Sequence, residues 1–197
     1  MKILPLALLS ASILVSSTGG CFADAPPNSA TTSAAANSDQ RDLEVYSVSD
    51  WNFTNGPEFP GAAGTFSVGM DNNRTVGILT YDFTGGGNYV AASKNVTVNA
   101  GWSEMRFEVN SDQPDNPVFV RLVDSTDQVH QFNISYTNTG QWQAVRVDLS
   151  APSQNHYAGA NDGIIHFPLK QIWLGLGNAK KNSIKGKALF SDISVLK

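Results

Sequence analysis

Three arginines of this 197-residue chain sit where a binding surface needs them. Arg106, Arg121 and Arg146 each fall inside an alternating segment, on the parity opposite to that segment's apolar residues. If those segments neighbour one another, one sheet face presents all three, with Glu104, Glu108, Phe119, Gln131 and Trp142 nearby. A guanidinium fork binds carboxylates and vicinal hydroxyls in a bidentate way, and an aromatic ring offers a stacking platform. The combination suits a hydroxyl-rich ligand, including one that carries uronic-acid carboxylates. The same residues also read as a Glu–Arg ladder of cross-strand pairs, each worth under about 1 kcal/mol.

A second candidate is the run His156-Tyr157-Ala158-Gly159-Ala160-Asn161-Asp162-Gly163. Polar, glycine-containing loops between sheets are where such scaffolds place specificity groups. His156 and Tyr157 are suited to contact a sugar, and Asn161 and Asp162 to supply directional hydrogen bonds. The competing reading is a self-bonded Asx-turn loop in which Gly159 and Gly163 meet backbone demands. Trp51 and Trp173 read as core or sheet-edge residues rather than platforms. Catalytic templates fail: there is no Gly-x-Ser-x-Gly elbow and no Walker loop. His130, His156 and His166 show no ligand spacing, and no pair of carboxylates is favoured for glycoside hydrolysis.

The elements that must position these groups are strands. Ile78–Phe83 places Leu79, Tyr81 and Phe83 on one face. Residues 104–109 place Met105, Phe107 and Val109 on one face and Glu104, Arg106 and Glu108 on the other. Residues 118–124, 128–134, 142–149, 172–176 and 188–196 continue the series. Turn chemistry separates them, as in Gly85-Gly86-Gly87-Asn88, Ser125-Thr126-Asp127 and Asn138-Thr139-Gly140. The expectation is an all-β protein, an antiparallel sandwich or jelly roll over residues 42–197.

Ahead of it, Met1-Lys2 and the apolar run to Val15 have the layout of a secretory signal peptide over residues 1–23. The run is too short to span a membrane, which takes about 20 residues. Two processing routes fit. Signal peptidase cuts after Ala23, or Thr18-Gly19-Gly20-Cys21 serves as a lipobox and Cys21 becomes a lipid anchor, making the protein a membrane-anchored lipoprotein rather than a secreted or periplasmic one. Residues 24–41 hold no aromatic or large aliphatic side chain and are expected to form a flexible linker. Charged residues are only 15% of the chain and the formal charge is −4, which disfavours nucleic acid as a partner. The single cysteine excludes a disulfide framework and Cys-based metal sites. Oligomeric state is left open.

The order of Tyr81-Asp82-Phe83 with residues 85–90, Val120-Arg121-Leu122-Val123-Asp124, residues 140–149 and Phe190-Ser191-Asp192-Ile193 resembles a galactose-binding-like jelly roll. These are the non-catalytic carbohydrate-binding-type modules of secreted glycosidases, and the 156–163 loop is similar to a loop in some of them. The resemblance implies polysaccharide binding without catalysis. It also implies a structural calcium between the first and last strands, with Asp192 as a ligand and Glu44 able to join it. A structural or protein-interaction module of the cell envelope is the first alternative. A polysaccharide lyase is the second: residues 102–106 and Gln128-Val129-His130 resemble fragments of two motifs of jelly-roll alginate lyases, whose third motif is absent. That chemistry needs Arg106, Gln128, His130 and a tyrosine in one cleft.

Overall fold

Strict alternation at residues 104–111 produces a strand whose every second side chain is buried, and the same physics repeats along the chain. The computed structural model describes residues 42–112, 116–153, 155–179 and 184–197. The expected leader, Cys21 and linker lie outside them. The described strands are β1 (Leu43–Tyr46), β2 (Asn52–Thr54), β3 (Ala63–Asp71), β4 (Arg74–Asp82), β5 (Tyr89–Val98), β6 (Glu104–Ser111), β7 (Val118–Val123), β8 (Val129–Ile134), β9 (Gln143–Asp148), β10 (Asn155–Tyr157), β11 (Leu169–Gly177) and β12 (Lys185–Leu196). Among the described residues there is no helix, and so none long and apolar enough to cross a membrane.

The strands form two antiparallel sheets. The first runs β3-β4-β12-β6-β9, with β1 paired to the C-terminal half of β12. The second runs β10-β8-β7-β11-β5-β2. The core lies between them. Leu79, Met105, Phe107 and Phe190 come from the first sheet, and Val120, Leu122, Ile172 and Leu174 from the second. Each such side chain gains roughly 1.5–3 kcal/mol by leaving water, which is what holds the sheets face to face. The architecture is the antiparallel jelly-roll sandwich expected from the alternation.

Pairing decides which outward-facing side chains meet. Parity along a strand fixes inside or outside, whereas strand order fixes neighbours. Because β6 and β9 belong to the first sheet and β7, β8 and β11 to the second, the outer faces carry different chemistry.

Candidate functional site

The outer face of the second sheet carries one row of side chains that crosses all six strands. In register it reads Asn155, Gln131, Arg121, Trp173, Ser93 and Asn52. The neighbouring row is Asn133, Phe119, Gly175, Ala91 and Thr54, with small residues at its centre. Trp173 points outward because Ile172 and Leu174 on either side of it point into the core.

Arg121 is the centre of this face. Its guanidinium carbon lies 4.3 Å from the Tyr89 ring centroid and 4.7 Å from that of Phe119. Those two rings meet edge to face at 5.7 Å. Arg121 Nε donates to Gln131 Oε1 at 2.8 Å, and Gln131 Nε2 donates to Asn133 Oδ1 at 3.0 Å. The Tyr89 hydroxyl donates to Glu58 Oε1 at 2.6 Å. That bond, with the Arg121 charge, holds the Glu58 carboxyl below its usual range against a partial burial that raises it. Trp173 Nε1 donates to Gln171 Oε1 at 2.9 Å, which fixes the indole in place. A depression of about 240 Å³ is lined by Glu58, Tyr89, Arg121, Tyr157 and Trp173. A second one, on the other side of Arg121, is lined by Phe119, Gln131 and Asn133. The result is a track of aromatic and amide groups about one guanidinium held by an amide and two rings.

The structure corrects the single arginine face. Arg121 sits on the second sheet, while Arg106 and Arg146 are cross-strand partners on the first. Arg106 is paired with Glu104, and Arg74 with Glu108. Trp142 belongs to that outer face too: its Nε1 donates to Asp71 Oδ2 at 2.9 Å and Arg74 stacks on its ring. The first sheet therefore carries one ion pair within β6 and one between β4 and β6, across β12, rather than a ladder of facing cross-strand pairs, and Arg106, Arg146 and Trp142 stand apart from the track.

The 156–163 loop also divides. Tyr157, 43% exposed, joins the track beside Val129. The other three candidates do not. His156 Nδ1 lies 3.2 Å from the Ser153 carbonyl, and Asn161 occupies a positive-φ turn position. Asp162 Oδ1 accepts from Ile164 N at 2.9 Å and from Gln128 Nε2 at 3.2 Å, so it ties the loop down.

Below that loop lies a buried polar cluster. His130 and Asp124 are both 0% exposed, with His130 Nε2 3.2 Å from Asp124 Oδ2 and His130 Nδ1 2.7 Å from Ser153 Oγ. The three groups have the spacing of a hydrolytic triad, but Ser153 is itself buried, so no substrate reaches its hydroxyl. The lyase constellation is not assembled either. Gln128 and His130 are sealed inside this cluster, while Arg106 lies outside on the opposite sheet.

Asp192 and Glu44, the residues expected at a structural calcium, are each placed with other partners. Asp192 Oδ2 lies 3.6 Å from the Arg74 guanidinium and accepts from Ser191 Oγ at 3.2 Å. Glu44 acts on Tyr46, where it adds to burial in pushing the phenol above its ordinary range. Calcium takes six to eight oxygens, and among the described residues no three His, Cys, Asp or Glu side chains converge. The Asp71-Asn72-Asn73 segment is a tight hairpin turn, with Asn72 and Asn73 both at positive φ.

Trp173, Tyr89 and Glu58 were not singled out from the sequence as binding groups. For Trp173 the signal was present, since a tryptophan between two core residues of one strand must face outward. Trp51 is the residue that does belong to the core, 8% exposed, its Nε1 donating to the Ser47 carbonyl.

No protein-family model matches the chain, and no curated protein does. Solved structures do. A family 11 carbohydrate-binding module from Clostridium thermocellum, in complex with a β-1,3-1,4-mixed-linked tetrasaccharide, aligns at TM-score 0.60 and 14% identity, over 78% of this chain and 94% of that one. The family 11 module of a cellulosomal cellulase of Clostridium thermocellum gives 0.61 at 14% identity over the same shares. The chain shares the fold of these modules. An exo-β-agarase aligns at 0.52 and 12% identity, over 75% of this chain and 23% of the longer enzyme. The shared fold covers 78% of this chain, and the aromatic track lies on the outside of its second sheet.

Proposed function

We propose that this chain is an exported, non-catalytic module that binds polysaccharide on the outer face of its second sheet. The observation that carries the reading is the six-strand row through Arg121 and Trp173, flanked by Tyr157 and Tyr89. A row that crosses a whole sheet suits an extended chain of sugars better than a single small molecule. Trp173 and Tyr157 offer apolar ring surface for sugar C–H groups, and Arg121, Gln131 and Asn133 offer directional donors and acceptors. The jelly-roll fold shared with a module solved on a tetrasaccharide supports the same reading. Export rests on the leader-like sequence at residues 1–23, and mass spectrometry of the secreted or membrane fraction distinguishes cleavage after Ala23 from lipidation at Cys21.

The test is affinity electrophoresis of the purified protein in gels loaded with mixed-linked β-glucan, agarose or alginate, each lane assayed afterward for cleavage products. Retardation without products is expected, and Trp173→Ala weakens it at least tenfold, a loss of about 1.4 kcal/mol. Arg106→Ala, on the other sheet, leaves retardation unchanged. Free migration in every gel, or a loss confined to Arg106→Ala, overturns the reading. The first of these outcomes leaves a structural or protein-interaction role.

A further inference from the structure

The two sheets are open along one side of the sandwich. Among the described residues, β9 at one edge pairs with β6, and β10 at the other covers β8 at residues 129–131. These two edges of the sandwich flank one groove of about 530 Å³. Its lining includes Gln131, Asn133, Ile134, Arg146, Asp148 and Asn155.

We infer that this groove is a second glycan subsite, occupied by the continuation of the polysaccharide bound on the outer face. The inference rests on the proposed function and extends it. Three observations support it. The first is continuity, because Gln131 and Asn133 line both this groove and the depression beside Arg121. A chain crossing β8 passes from one to the other without leaving a polar surface. The second is availability. Arg74, Arg106 and Arg121 are all engaged by carboxylate, amide or ring. Among the described residues, the side chains of Arg146 and Asn155 have no hydrogen-bond or ion-pair partner. The third is the chemistry of the set. Asp148 Oδ1 accepts from Ser150 N at 2.8 Å and from Ser150 Oγ at 2.6 Å, and these bonds lower its pKa, so the carboxylate is ionised. An ionised carboxylate, a guanidinium and two amides supply the acceptors and forked donors that vicinal hydroxyls require. Ile134 and Pro152 supply apolar surface for the ring's C–H face.

The test uses the purified protein and a length series of oligosaccharides, from disaccharide upward, cut from whichever gel polysaccharide retards it. Affinity is expected to keep rising for oligosaccharides longer than the outer face accommodates. Arg146→Ala and Asn155→Ala each lower the affinity for the long oligosaccharides about tenfold and leave the short ones unaffected. Trp173→Ala weakens binding at every length. By NMR, the backbone amides of Ile134 and Val147 shift only with the long oligosaccharides. Full affinity of both variants at every length overturns the second subsite, and so does an equal loss at every length. If Trp173→Ala changes nothing, the outer-face reading itself fails, which is a separate outcome.

Discussion

Asp124 is the residue on which the position of Tyr157 depends. Its Oδ1 accepts from Thr126 N at 2.8 Å, Thr126 Oγ1 at 2.8 Å and Gln128 N at 3.1 Å. Its Oδ2 accepts from His166 N at 3.0 Å and lies 3.2 Å from His130 Nε2 and from His166 Nδ1. Burial raises the pKa of this carboxyl, but the donors from His166, Thr126 and His130 outweigh burial and hold it well below the usual range. Its folded pKa is thus lower than its unfolded value near 3.9. The stabilisation is complete above that value and is lost as pH falls below it toward the folded pKa. Asp124→Asn replaces an acceptor by a donor that faces other donors, and about 3 kcal/mol of stability at neutral pH is expected to go. Urea titration at pH 7 and at pH 3 checks this: the gap between wild type and variant narrows in acid. A gap that stays constant across the two pH values would show that the carboxylate charge is not what holds the loop. Glycan affinity should fall with the same substitution, since the 156–163 loop carries Tyr157 and is anchored through Gln128 and Asp162.

At the scale of a strand, β11 does two jobs. Its inner side chains build the core, and its outer ones set the floor of the track. Gly175 lies under the Phe119 ring, into which a Cβ at that position would run. The glycine lets the ring lie flat on the sheet, and Arg121 stacks on that ring. Gly175→Ala therefore lifts Phe119 and displaces Arg121 from its place above both rings. Since φ at Gly175 is not in the left-handed region, alanine adds no backbone strain and reduces unfolded-state entropy. Expected are a destabilisation of about 1–3 kcal/mol from moving the buried Phe119 ring and a glycan affinity about tenfold lower, read by thermal melting and calorimetric titration. Unchanged affinity would remove Phe119 and Arg121 from the site. The strands themselves were legible where one face is buried and the other wet, as in β6. In β5 the outer residues Tyr89 and Ala91 are buried by Phe119 and Trp173, which erases the alternation. In β3 the inward Val68 and Met70 remain exposed, so that segment carried no clear two-sided pattern. Arg106, Arg121 and Arg146 were all correctly outward by parity. Parity is local, however, while sheet membership is set by pairing between strands distant in sequence, and the three arginines separate there.

The molecule as a whole closes where its first and last strands meet, and charge pairs occupy that seam. β1 pairs directly with the end of β12, from Leu43 opposite Leu196 to Tyr46 opposite Ile193. Lys197 Nζ reaches Asp42 Oδ2 at 2.9 Å, and Arg74 lies against Asp192 just beyond the last β12–β1 pair. The two aspartates of the seam thus each have a cationic partner, and backbone pairing joins the first strand to the last. These ion pairs are half-exposed, so each contributes no more than about 1 kcal/mol, and added salt should weaken them only slightly. The larger share of the stability comes from the apolar core between the sheets. The expected outcome is that neither calcium nor a chelator moves the melting temperature of the purified protein, with magnesium as the control for ionic strength. A cation that bound only the folded state would raise stability as RT ln(1 + [L]/Kd), so a real site gives a melting temperature that climbs with calcium concentration. A climb specific to calcium and abolished by Asp192→Asn would put an ion at the seam, with Arg74 displaced to make room for it. A flat response leaves Arg74 as the partner of Asp192 and the sandwich independent of metal.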